Sequence, residues 1–86
     1  MGVDRRGAQQ AEVLGDRVRL HRKQANLSQE DLGEASGLHR TYIGHLERGE
    51  INPTLLNILK VSAALDIDAS ELVKGLAETI GDPRLV

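Results

Sequence analysis

Apolar positions in this chain recur at spacings of three and four residues, a helical pattern from one end to the other. Leu14, Val18, His21, Arg22 and Ala25 share one face of a first helix expected over 11–25. Leu32 and Ala35 form the inner side of a second helix over 28–35, with Ser28 as its cap and Asp31 in the capping-box position. Ile43 and Leu46 are the inner pair of a third helix over 39–48. Gly37 and Gly49 stand where the second and third helices stop. Pro53 and the capping residue Thr54 open a fourth helix over 54–65, whose core positions are Leu55, Ile58, Val61, Ser62 and Leu65. Leu56 and Leu59 fall outside that arc. Beyond Asp68, with Glu71 as its capping partner, Leu72, Val73, Leu76 and Ile80 make a stripe along a fifth helix that ends at Gly81-Asp82-Pro83. The expected organisation is a leader over 1–10, one domain over 11–80 and a tail over 81–86.

The fold class is therefore all-α, a compact bundle of five helices. Its most telling part is the stretch SQEDLGEASGLHRTYIGHLERG at 28–49, two short helices joined by a tight turn that contains Gly37. That arrangement is the helix-turn-helix, and the fourth and fifth helices, 54–80, supply the dimerisation part. Gly33, in the middle of the second helix, costs about 0.5–1 kcal/mol in helix propensity and so implies close approach to the third helix.

Composition narrows the core. There is no Trp or Phe, and Tyr42 is the one aromatic residue, so the interior has to be built from Leu, Ile, Val and Ala. A core of this size, in a chain of 86 residues, often gains from dimerisation. The absence of Cys excludes disulfides, a thiol nucleophile and thiolate metal sites. No apolar run approaches the roughly 18 residues of a membrane span, and no apolar signal segment opens the chain. A cytoplasmic protein is expected, with no membrane partner and no cofactor. His21, His39 and His45 lack metal-binding spacing and there is no Gly-rich phosphate loop, so no catalytic or metal site is expected.

Charge changes the picture by its distribution. The net charge of −2 does not point to nucleic acid. From Arg17 to Arg48, however, there are six bases against four acids, and from Ile51 onward three bases against five acids. One locally basic face on an acidic chain suits a DNA binder whose other face has a different task, although charge runs are usually no more than solvated faces.

The register of Leu27-Ser28-Gln29, Leu32, Gly37, Ile43, Glu47-Arg48-Gly49, Pro53 and Leu65 resembles the lambda-repressor/Cro-like family of regulators, also called the XRE family, over about 14–72. Within it, LHRTYIGHLERGEINPTLLNILKVSAALDI is similar to the controller proteins of restriction–modification systems, which are dimers that regulate their own genes. The resemblance implies a homodimer on an inverted repeat of double-stranded DNA, with the third helix in the major groove. It also admits a different class, the antitoxin-type interaction module, in which a toxin protein is the main partner. RNA polymerase is a further partner for a regulator of this kind, and a bacterial or phage, nucleoid-associated setting is what the family resemblance of the helix-turn-helix implies.

Carried over residue by residue, the resemblance pairs Arg22 with Glu47 as a structural ion pair between the first and third helices. Arg40, Thr41 and His45 face outward and are the base-contacting candidates; Arg40 can bond guanine O6 and N7 as a fork. Gly44, also outward, leaves room for approach to the groove. Gln29, Tyr42, Arg48 and Asn52 are the phosphate-contacting candidates, and Glu50 is expected to point away from phosphate. The alternative for each polar residue is a solvated helix face. Leu56, Leu59, Ile67, Leu72, Leu76 and Ile80 are assigned to the dimer interface, with an ordinary core position as the alternative for Leu72. Arg5-Arg6 is either a phosphate-reaching arm or an uninvolved tail. His39 departs from the usual Ser, Thr or Gly at its cap, and His21 stands where an apolar residue is usual; both are without an assigned role.

Overall fold

A computed structural model describes residues 7–85; Arg5 and Arg6, assigned above to an arm or tail, lie outside the described residues. Five α-helices follow one another: α1 (Ala8–Gln24), α2 (Gln29–Ser36), α3 (Arg40–Glu47), α4 (Leu55–Leu65) and α5 (Ser70–Val73). Two 3-10 turns, Leu76–Thr79 and Pro83–Leu85, complete the described chain, which contains no strand.

The helix ends follow from local chemistry. Ser28 and Asp31 form a reciprocal capping box, each side chain accepting from the other's backbone N–H at 2.9 Å. The Ser28 backbone N–H, and after it the Ser28 hydroxyl, hold the Asp31 carboxyl below its ordinary value of 3.8 by hydrogen bonding to it. The Thr54 hydroxyl accepts from the Asn57 N–H. At the other ends, α1, α2, α3 and α4 all close with the same pair of crossed bonds around a left-handed residue: Asn26, Gly37, Gly49 and Asp66. Two of the four are not glycine, and both carry the short polar side chains that tolerate this conformation.

The core is aliphatic, as the composition requires. Val18, Leu32, Ile43, Val61 and Leu72 are fully buried, with Leu14, Leu46, Ile51 and Leu65 beside them. Two expected inward residues are displaced. Ala35 and Ala25 are exposed, and Ser36 takes the buried place on α2, its hydroxyl donating to the Gly33 carbonyl at 3.2 Å. Leu55 is also exposed, because α4 turns its Val61–Leu65 side inward and Leu55 sits at the edge of that arc. Ser62 is buried and donates to the Leu59 carbonyl at 3.0 Å, the back-bond that makes a hydroxyl tolerable there.

Two glycines bring helices together. A Cβ on Gly33 would lie 2.7 Å from the Leu38 carbonyl oxygen, so the turn into α3 can pass only over a bare Cα. A Cβ on Gly15, which the pattern of apolar positions does not mark, would lie 2.5 Å from the Leu46 carbonyl oxygen. There α1 rests directly on the last carbonyls of α3.

The last segment departs from expectation. The stripe does not lie on one helix, because α5 stops at Val73 and Gly75 takes a left-handed φ of 75°. The guanidinium of Arg17 donates to the carbonyls of Leu72 and Lys74, at 3.1 and 2.8 Å. In a continuing helix the Leu72 carbonyl would accept from four residues on, so Arg17 caps the break from α1. Glu71 does not close a capping box; the Asp68 carboxylate instead accepts from the Ser70 N–H at 2.9 Å. Leu72 is core, 1% exposed, and is therefore withdrawn from the dimer interface. Leu76 and Ile67 are half-buried against the core, whereas Leu56, Leu59 and Ile80 keep 60%, 44% and 39% of their surface in solvent. Ile58, Val73, Leu76 and Ile80 line an apolar groove of about 410 Å³ against the start of α1.

Candidate nucleic-acid interface

The third helix is held on its inner half by more than apolar contact. Glu47 ends α3 and is buried. Its carboxylate accepts from Arg22 Nε at 2.6 Å and Arg22 Nη2 at 3.0 Å, a bidentate fork from α1. A third bond comes from Gln29 Nε2 of α2, 3.2 Å from Glu47 Oε1. The remaining arm of Arg22 donates to the Leu27 carbonyl at 2.8 Å. One carboxylate thus joins α1, α2 and α3, and both buried charges have their partners, the condition under which a buried pair is tolerated.

The start of α3 is fixed by His39. Its side chain accepts from the Thr41 N–H through Nδ1 at 3.0 Å, so it takes the place of the usual Ser or Thr cap and its proton is on Nε2. His21 is half-buried on α1. Ile43 and Leu46 face the core.

The outer half of α3 carries the remaining candidates. Arg40 and Thr41 are exposed on its first turn. Arg40 lies 3.4 Å from the Glu30 carboxylate, an open surface pair of little energetic weight that leaves the guanidinium free to exchange partners. Tyr42 is half-buried rather than fully outward. Its ring packs against the core and its hydroxyl accepts from Asn57 Nδ2 at 3.1 Å. The phenolic proton stays available to an acceptor outside. Gly44 is covered, not open: the Arg48 guanidinium would stand 3.1 Å from a Cβ there, and Gln29 Oε1 3.6 Å from it. Asn52 is exposed at the rim of the apolar groove.

Glu50 folds back beside two of the candidates. Its Oε1 lies 2.8 Å from His45 Nδ1 and 3.0 Å from Arg48 Nε. The hydrogen bond from His45, then that from Arg48, holds the Glu50 carboxyl below its ordinary value of 4.5. The cause lies in the helix end. With Gly49 left-handed, the Glu50 N–H donates to the His45 carbonyl at 3.0 Å, which folds residue 50 back under residue 45. Glu50, Glu30, Asn57 and Arg17 were not among the candidates; the spacing of Glu50 from Gly49 and His45 is the signal that could have found the first.

Among the described residues no helix is long and apolar enough to cross a membrane, and no His, Asp and Glu cluster has metal-binding geometry.

The comparisons agree with this geometry. A helix-turn-helix family model matches residues 18–72. The chain is 48% identical over 62 residues to the control protein C.SmaI of Serratia marcescens, across 72% of this chain and 74% of that one. It is 44% identical over 62 residues to the control protein C.BamHI of Bacillus amyloliquefaciens, across 71% and 76%. The solved restriction-modification controller protein C.AhdI from Aeromonas hydrophila matches with a TM-score of 0.71 at 48% identity, over 72% of this chain and 94% of that one. The master regulator for biofilm formation SinR, solved in complex with DNA, matches with a TM-score of 0.68 at 32% identity, over 71% and 98%. On its bundle, its turn and these likenesses, the chain belongs to the helix-turn-helix family of transcription regulators, a family of DNA-binding proteins rather than enzymes, in its lambda-repressor/Cro-like (XRE) form.

Proposed function

We propose that this protein is a sequence-specific regulator of transcription that binds an inverted repeat in double-stranded DNA as a homodimer, in the manner of the restriction–modification controllers it resembles. The observation that carries the reading is the asymmetry of α3. Its inner half is tied to α1 and α2 through Glu47, while its outer half leaves Arg40 and Thr41 exposed on the first turn. The first turn of such a helix is the part that reaches base edges. Arg40 then reads guanine, Thr41 offers a hydroxyl or a methyl, and His45 reads one turn further on.

Gln29, Arg48, Asn52 and the free proton of Tyr42 bind phosphate, with the Tyr42 hydroxyl oriented by Asn57. Two copies joined through Leu56, Leu59, Ile67, Leu76 and Ile80 set their third helices about 34–36 Å apart, one turn of duplex.

Selection of bound sequences from a random duplex pool tests this, with Arg40→Ala beside the parent protein. An inverted repeat is expected, with guanine preference lost at one position in each half-site of the variant. If no sequence is enriched, the bundle is an interaction module of the antitoxin type, and its apolar groove becomes the place to look for a protein partner.

A further inference from the structure

We propose that Glu50 is a positioning residue for sequence choice: it fixes the proton of His45 on Nδ1, so that the neutral ring presents Nε2 as an acceptor toward a base. The inference rests on the reading of α3 as the recognition helix.

A carboxylate can only accept, so a nitrogen 2.8 Å from Glu50 Oε1 has to bring the hydrogen. Arg48 Nη2 also comes within 3.3 Å of His45 Nδ1, a contact that would require the opposite tautomer. Both approaches involve an ionised partner, and the shorter one, 2.8 Å against 3.3 Å, decides between them. Arg48 is already satisfied at the same oxygen through its Nε at 3.0 Å, so Nδ1–H and Nε–H converge on one acceptor. The backbone maintains the arrangement, because the Glu50 N–H is bonded to the carbonyl of His45 itself.

Arg48 and Glu50 are the charged groups in contact with the ring. From the elements packed behind it, Glu47 is committed to Arg22 and Gln29, and Glu12 of α1 packs its stem against Gly49.

The consequence concerns the edge a base offers. In the major groove cytosine N4 and adenine N6 are donors, whereas guanine presents only acceptors. A ring held as the Nδ1–H tautomer accepts from cytosine or adenine and has nothing to give guanine. Without Glu50 both tautomers are open, and Nε2–H can serve guanine as well. Glu50 therefore removes guanine, and with it the equally acceptor-only O4 of thymine, from the ring's hydrogen-bond partners without touching DNA.

Two measurements on the full chain test this. Long-range nitrogen–proton correlation spectra of the free protein at about pH 8.5, where an ordinary imidazole is neutral, should show His45 with its proton on Nδ1. Glu50→Ala should lose that signature. Selection from the random duplex pool at the same pH should give one position in each half-site where cytosine or adenine is favoured over guanine, by roughly three- to tenfold for one hydrogen bond. Glu50→Ala should admit guanine at that position, and His45→Ala should show no preference there.

An Nε2–H tautomer in the parent protein would overturn the inference. So would tighter binding of Glu50→Ala to every sequence by one common factor, which would make Glu50 a repeller of phosphate and nothing more. If the parent enriches a repeat and Glu50→Ala enriches the same one, this inference falls and the recognition-helix reading stands. If the parent enriches nothing, both fall together.

Discussion

From Ser28 to Gly49 each helix start has a side-chain cap, each helix end closes on its own backbone, and the buried charges are paired; from Lys74 onward the backbone breaks helix and its apolar side chains stay half in solvent. The first region holds its shape with contacts contained in one chain. The second has Ile80, like Val73 at the end of the helix before it, about two-fifths exposed beside a groove, a surface that makes sense as something to be covered. The difference separates what the fold needs from what an assembly would add.

Breaking the well-satisfied region should have the largest effect. Glu47→Ala leaves the Arg22 guanidinium buried without its carboxylate, and about 3–5 kcal/mol of stability should disappear in urea unfolding. The double variant Arg22→Met with Glu47→Leu should recover most of that, because apolar replacement of both partners removes the desolvation cost as well. Gly15→Ala follows. Its methyl meets backbone oxygens of α3 rather than a side chain that could swing away, so a loss of about 1–3 kcal/mol is expected, read as a lower melting temperature.

On the other side of the comparison, Leu59→Ser should change the stability of the monomer by no more than about 0.5 kcal/mol. It should nonetheless weaken self-association by more than tenfold in sedimentation equilibrium if Leu59 is a central interface residue. Ser28→Ala removes one half of the capping box and should cost about 1 kcal/mol.

The smallest effect is the pH dependence of the caps. Asp31, Glu50 and Asp68 are all held below their ordinary values by hydrogen bonds. A depressed folded value means that their stabilisation is complete above the unfolded values of 3.8 for Asp and 4.5 for Glu, and is lost as pH falls through the lower folded ones. Melting temperature should therefore be flat from neutrality down to about pH 5 for these groups and should decline below it. Asp31→Asn should flatten part of that decline.

The helix-turn-helix was legible because its determinants are local. Ser28 with Asp31, and Gly37 and Gly49 at the ends, each act within a few residues, and Arg22 announced its need for a partner by being charged on an inward face. Ala35 and Ser36 were exchanged because hydropathy favours the alanine, whereas the neighbouring helix decides which of two adjacent small residues is covered. The stripe after Asp68 misled because spacing records periodicity and not continuity. What interrupts it is Arg17, more than fifty residues earlier, capturing carbonyls that a helix would have used. The contact of Glu50 with His45 and Arg48 was not legible for a related reason. Its charge argued for distance from phosphate, while the left-handed turn at Gly49 determined where it went.

What fastens α3 in place lies at Tyr42, Ile43, Leu46 and Glu47, together with a cap at His39 that uses only the backbone of Thr41. Positions 40, 41 and 45 take no part in that fastening. The helix is thus a fixed mount with exchangeable lettering: new side chains at those three sites could be tried without re-engineering the bundle. The tight spot beside them is Gly44, where a methyl would stand 3.1 Å from the Arg48 guanidinium and the end of that side chain would have to give a little.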